Sequence, residues 1–169
     1  MNARTGRGSA ALALLLWVLP LPAATERWLE GTVVHVSDGD TVDVKDGTGK
    51  HRVRFYGVDA PELAHDGRPA QAYGAQADAF VRRLLLHRHV RVRLTGETSY
   101  RRAVGEVFVD DKSASRELLR AGLAWWNARH ARDDGELRRL ERAAREAHAG
   151  LWREPQPVPP WKFRRRGRR

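Results

Sequence analysis

Thr41-Val42-Asp43-Val44-Lys45-Asp46-Gly47-Thr48-Gly49-Lys50-His51-Arg52-Val53-Arg54-Phe55-Tyr56-Gly57-Val58 is the run that decides the fold. Val42 and Val44 alternate with polar neighbours, and so do Val53 and Phe55, which is the two-residue period of strands that bury one face. Between them Asp46-Gly47-Thr48-Gly49 joins an acceptor side chain to two glycines, the chemistry of a hairpin turn. The run therefore predicts a β-hairpin with strands over 41–45 and 51–58. A turn centred on Gly47-Thr48 puts Asp40 opposite Phe55, so the residues before the first strand and after the second meet at one end of the hairpin.

That end is charged. Asp38-Gly39-Asp40 leads in; Arg54 and Asp59-Ala60-Pro61-Glu62 lead out. Pro61 holds Ala60 in extended geometry, so the exit is a rigid turn that offers carboxylates and a backbone carbonyl. Carboxylates converging beside a guanidinium make a hard-cation site next to a phosphate clamp, the requirement of metal-assisted phosphodiester cleavage. Asp38, Asp40 and Asp43 are not an EF-hand loop, because Asp43 and Gly49 stand at the sixth and twelfth positions, where that loop needs glycine and glutamate. An isolated Asp-Gly-Asp is ordinarily only a turn; its place on the hairpin gives it chemical weight. A strict pleat sets Asp40 on the Val42 face and Arg54 on the other, so the two meet only if a bulge or strand end lies near Asp40.

Outward from the hairpin, a strand is expected over 29–36 and two more over 90–94 and 103–109. Ala72, Ala75, Ala79, Phe80 and Leu84 recur at helical spacing within 70–86. A helix over 115–121 stops at Gly122, and another starts at Asp133 or Asp134 and runs through Leu137, Leu140 and Ala144 to Gly150. Five short strands with about three α-helices predict an α+β protein built on a closed five-stranded barrel of the oligonucleotide-binding type (OB-fold). His87 and His89 would share one strand face, as solvated side chains or as a metal pair.

The ends carry other signals. Arg4 and Arg7 precede the uncharged stretch 10–21 and then Pro22-Ala23-Ala24, the pattern of a secretory signal peptide over residues 1–24. The globular domain is then 25–153, and 154–169 is a proline-rich, then arginine-rich tail whose prolines 155, 157, 159 and 160 argue against regular structure. The chain has no cysteine, which excludes disulfides, zinc–thiolate sites and thiol chemistry. Its formal net charge is +10, with Lys162, Arg164, Arg165, Arg166, Arg168 and Arg169 crowded at the C-terminus. Such a tail is either a solvated end or an arm for a polyanion.

Asp38-Gly39-Asp40-Thr41, Arg54 with Val58-Asp59-Ala60-Pro61-Glu62, Tyr73-Gly74, Tyr100-Arg101-Arg102 and Glu117-Leu118-Leu119-Arg120-Ala121-Gly122-Leu123-Ala124 resemble, in order and spacing, the staphylococcal nuclease (thermonuclease) family. The resemblance spans about 29–152. It implies an oligonucleotide-binding-type barrel that cleaves DNA and RNA with Ca2+. By similarity, Asp40 and Asp59 are the calcium carboxylates and Ala60 contributes its backbone carbonyl. Glu62 matches the general base, and Arg54 and Arg102 match the two arginines that bind the phosphate and stabilise its transition state. Planar guanidiniums beside a divalent ion neutralise phosphoryl charge without proton transfer, which makes the set chemically coherent.

Two departures bear on substrate contacts. Arg101 replaces the family's turn glycine, so either Arg101 or Arg102 could be the second phosphate arginine. Asn127 and His130 stand near positions where relatives carry tyrosines, leaving Tyr100 and His130 to meet the base. The expected protein is an exported (periplasmic or secreted) monomeric endonuclease acting on DNA and RNA, single-stranded or locally open substrate favoured. It needs no obligate protein partner and has no membrane span after signal cleavage. The competing reading is a nuclease-like barrel that binds nucleic acid or protein without cutting; retention of Asp40, Asp59, Glu62 and Arg54 together speaks for the enzyme.

Overall fold

The computed structural model describes residues 26–65, 67–100 and 102–166; the expected signal segment and Arg101 lie outside them. In chain order the strands and helices are β1 (Arg27–Asp38), β2 (Thr41–Lys45), β3 (Lys50–Phe55), β4 (Val58–Asp59), α1 (Gly74–Leu85), β5 (His89–Ser99), β6 (Arg102–Val109), β7 (Lys112–Ser113), α2 (Ala114–Arg120), β8 (Trp125–Trp126), α3 (Gly135–Glu146) and α4 (Pro160–Arg166). The hairpin has the predicted register: Thr41 faces Arg54 and Val44 faces His51, and Asp46 Oδ1 closes the turn by accepting from the N–H groups of Thr48 (2.7 Å) and Gly49 (2.9 Å).

The strands run β3-β2-β1-β5-β6, and a parallel pairing of β3 with β6 (Val53 with Ala103, Phe55 with Gly105) closes the barrel. Val33, Val36, Val42, Val44, Val53, Phe55, Val90, Val92 and Val107 point into it and are buried. Each such side chain is worth about 1.5–3 kcal/mol on burial, so the alternation read from the hairpin drives closure in a chain without disulfides. Val81 and Leu85 of α1 and Leu118 and Leu119 of α2 join the same core. Helix α3 begins at Asp134, whose Oδ1 accepts from Leu137 N (3.1 Å), as the capping residue predicts. No helix of the described residues is long and apolar enough to cross a membrane.

Several expectations change. The strand expected over 51–58 ends at Phe55, and Val58–Asp59 pairs separately with Trp125–Trp126. β5 and β6 reach further than 90–94 and 103–109 and meet as Ser99 opposite Arg102. His87 is no strand residue: it sits in the turn after α1 with φ +63°, apart from His89 at the head of β5, and both are exposed. The described residues also hold four α-helices rather than about three, because α4 forms inside the tail expected to lack regular structure. Pro160 is its first residue, where a missing N–H costs nothing, and the N–H groups of Lys162 and Phe163 reach Pro159 O (2.9 and 3.1 Å).

Candidate active site

The charged end of the hairpin opens on a cleft of about 960 Å³ at the end of the barrel. An irregularity in β1 between Val36 and Asp38 turns the chain, and Asp38 Oδ1 accepts from Asp40 N (3.0 Å). Asp40 therefore lies in the turn, outside the pleat, and the conflict over its facing is resolved by a strand end. A Cβ on Gly39 would come within 2.8 Å of the Cβ atoms of both Ala60 and Ala77, so only glycine lets this turn nest against α1 and the Asp59–Glu62 segment.

Asp40 and Asp59 are buried, and Arg54 bridges them: Nη1 donates to Asp40 Oδ1 (2.5 Å) and Nη2 to Asp59 Oδ1 (2.7 Å). Asp40 is further held by Thr41 Oγ1 (3.1 Å) and by the Ala60 N–H (2.8 Å). Burial pushes the Asp40 carboxyl up to about 7 even though Arg54 pulls it down, so its ionised form lacks compensating positive charge. For Arg54, burial opposes the charge, but Asp40 and Asp59 outweigh it and raise the pKa. Asp59 is placed by the short pairing of β4 with β8, where it faces Trp125.

Glu62 sits at the cleft rim, half-buried. Its backbone is clamped by Gln71, which accepts from Glu62 N (3.3 Å) and donates its own N–H to Glu62 O (2.9 Å). A Cβ on Gly74 would lie 2.3 Å from Glu62 O, which explains the glycine of the Tyr73-Gly74 pair in terms of where Glu62 must stand. Arg102, the first residue of β6, donates to Ser99 O (3.1 Å) and Thr41 Oγ1 (3.2 Å), and so reaches Asp40 through Thr41. Burial and then the Arg54 charge lower the Arg102 pKa. An anion seated between the two guanidiniums would relieve that repulsion. Tyr100, 89% exposed, lies 5.9 Å beneath the Arg102 guanidinium, and His130 stands across the cleft beside Glu97 (3.7 Å).

Asp40, Asp59, Ala60, Glu62, Arg54, Arg102, Tyr100 and His130 thus line one cleft, while Arg101 lies outside the described residues. Trp125 is buried against Trp152 and Trp161 and serves packing. The participant that sequence reasoning missed is Arg164 of α4. Its Nη1 donates to Asp59 Oδ1 (3.1 Å) and Glu62 Oε1 (2.5 Å), and its Nη2 to Asp59 Oδ2 (2.7 Å). Burial works against this charge, but Asp59 and then Glu62 raise its pKa.

Among the described residues, no three acidic or histidine side chains form a ready metal cage. The donor set still fits a hard cation in chemistry: two buried carboxylates with Glu62 nearby are all oxygen, and Asp40 needs more positive charge than Arg54 supplies.

A closed oligonucleotide-binding-type barrel whose mouth collects aspartates, a glutamate and arginines has the plan of a small nuclease. Comparison with known proteins agrees. Residues 52–154 match the family model described as staphylococcal nuclease homologue. Over 169 aligned residues the chain is 38% identical to Protein ParB of Escherichia coli, covering 94% of this chain and 90% of that protein. It is 32% identical to a protein of Escherichia coli O157:H7 named as an uncharacterized endonuclease (92% of this chain, 97% of that one). It is 28% identical to the micrococcal nuclease of Shigella flexneri (92% and 91%). The chain belongs to the staphylococcal nuclease family and is a nuclease, with nucleic acid as its substrate.

Proposed function

We propose that the protein is an exported, calcium-dependent, sugar-non-specific endonuclease that hydrolyses phosphodiester bonds in DNA and RNA. The observation that carries this is the Arg54 bridge between two buried aspartates, opening on the same cleft as Glu62 and Arg102. Asp40, Asp59 and the Ala60 carbonyl would hold calcium. Bound there, it would supply positive charge to the phosphoryl oxygens as a Lewis acid.

The chain's own residues do the rest. A guanidinium has five donors, and Asp40, Asp59 and Val58 O take only part of the Arg54 set, so the remainder can meet a phosphate oxygen. Arg102 meets it too, and the anion offsets both the burial and the Arg54 repulsion that lower its pKa. Both guanidiniums gain most when charge on the phosphoryl oxygens is greatest, in the transition state. Glu62, its backbone fixed by Gln71 and Gly74, orients the attacking water and takes its proton at a carboxylate oxygen. Tyr100 and His130 offer ring faces to a base, which favours single-stranded or locally open substrate because a paired base has no free face. The charged, apolar, small-residue order of the first 24 residues supports export to the periplasm or medium.

The test is to incubate the protein with single- and double-stranded DNA and RNA, with calcium or with a chelator. Cleavage of both sugars that stops in chelator is expected. Binding without cleavage at saturating calcium would favour the non-cutting barrel.

A further inference from the structure

We propose that α4 is a self-inhibiting strap: in the resting protein Arg164 occupies Asp59, one of the carboxylates that would hold calcium, together with Glu62, and a divalent ion must displace it before the site is assembled. This rests on the reading of Asp59 as a calcium carboxylate and of Glu62 as the base, and adds a regulation of that site.

Arg164 meets both groups at once, three hydrogen bonds joining one guanidinium to two carboxylates. A planar fork over a carboxylate is among the stronger polar contacts a protein makes. One of the two Glu62 carboxylate oxygens, Oε1, accepts from Arg164, and both Asp59 oxygens carry Arg164 donors. Asp59 Oδ1 already accepts from Arg54 as well, so an incoming ion meets a carboxylate crowded with donors, and ion and guanidinium compete for it.

The helix is placed deliberately. Trp161 packs edge-on against Trp125 (centroids 5.7 Å apart, planes at 75°), Pro160 is buried, and Gln71 Nε2 donates to Val158 O (2.5 Å). Gln71 is the same side chain whose carbonyl holds the Glu62 backbone, so one residue ties the strap to the segment it covers. The attachment is also light. The helix has seven residues, too short to persist without its docking contacts. Lys162, Arg165 and Arg166 form no ion pair among the described residues, and Arg165 lines the cleft. They are left for the phosphates of a nucleic acid, whose pull on the helix would act in the same direction as the incoming ion.

The experiment measures calcium binding to the full chain by titration calorimetry without nucleic acid, together with trypsin cleavage of the tail. Arg164→Gln should bind calcium about tenfold more tightly than the parent, the factor lost when a competing state holds nine molecules in ten. Trp161→Ala, which loosens the anchor and leaves every proposed ligand in place, should move affinity the same way, and Arg164→Lys should fall between. In the parent, calcium should speed trypsin cleavage after Arg164 and Arg165. Melting in chelator checks folding: Arg164→Gln should melt lower than the parent, and calcium should restore it.

If Arg164→Gln and Trp161→Ala bind calcium with parental affinity while Asp59→Asn abolishes binding, the strap is wrong and the calcium site stands. Failure of the parent and Arg164→Gln alike to bind calcium at millimolar concentration would remove both.

Discussion

Glu62, Asp40 and Arg54 have separable duties, and single substitutions should separate them. Glu62→Gln keeps shape and hydrogen-bonding reach but cannot take a proton, so turnover should fall by roughly 10²–10⁴ with calcium affinity kept or raised. Asp40→Asn should weaken calcium binding itself, because a hard cation loses an anionic oxygen. Arg54→Lys cannot bridge Asp40 and Asp59 with one ammonium; a buried carboxylate left short of a partner should cost about 1–3 kcal/mol of stability in addition to activity. Calcium titration of turnover, with melting run in parallel, distinguishes the three. A folded Glu62→Gln that cleaves at the parental rate would remove Glu62 as the base. Asp43 is the structural counterpart on the neighbouring strand: buried, and hydrogen-bonded by Arg52 (2.8 Å) and paired with Lys50 (3.1 Å). The Arg52 hydrogen bond lowers its pKa from 3.8, opposed by burial and helped by Lys50. A depressed acid stabilises the fold above its unfolded value and loses that contribution as pH falls through the folded one. Asp43→Asn should therefore melt lower than the parent at neutral pH, with the gap closing well below pH 3.8. A gap independent of pH would show that packing, and not charge, is what Asp43 supplies.

The elements that aim these residues are set by close approach. Gly74 opens α1, so Gly74→Ala gains little helix propensity, and its Cβ would lie 2.3 Å from the Glu62 carbonyl oxygen, a backbone atom that can move only by shifting the segment. The variant should lose stability and turnover while keeping calcium affinity nearer the parent's than Asp40→Asn does; calorimetry and single-turnover rates check this. Much of this arrangement was legible in the sequence. The two-residue period and the Asp46–Gly49 turn determined the hairpin register, and the register brings Asp40 opposite Phe55, one residue from Arg54. The irregularity near Asp38 was legible only as a necessity, because a bulge has no period of its own. The full length of β5 and β6 was not, since Thr95 to Ser99 includes Gly96 at φ +81° and no apolar alternation. Least visible was α4. Proline 160 reads as a breaker until its position as first helical residue is known, and Arg164 meets Glu62 across 102 positions of chain with no pattern linking the two.

At the scale of the molecule, positive charge is concentrated where it both blocks and recruits. The basic C-terminus faces the cleft through Arg164 and Arg165, while Lys162, Arg165 and Arg166 form no ion pair among the described residues. The same segment should therefore have opposite effects under different conditions. Each tail cation that meets a phosphate releases counterions and steepens the salt dependence of binding by roughly 0.7–0.9 in the log–log slope. Deleting 162–169 should flatten that slope and weaken substrate binding at any calcium concentration. Turnover of saturating substrate should respond differently: at limiting calcium the deletion removes the competitor for Asp59 and Glu62 and should raise the rate, whereas at saturating calcium the competitor is already displaced and the rate should stay near the parent's. The measurement is a two-way titration of calcium and salt on the parent and the deletion, with Arg164→Gln as the variant that removes the block but keeps the other tail charges. A deletion with the parental salt slope would show that the tail does not meet the substrate. A deletion that slows turnover at every calcium concentration would show that Arg164 supports the site rather than obstructing it.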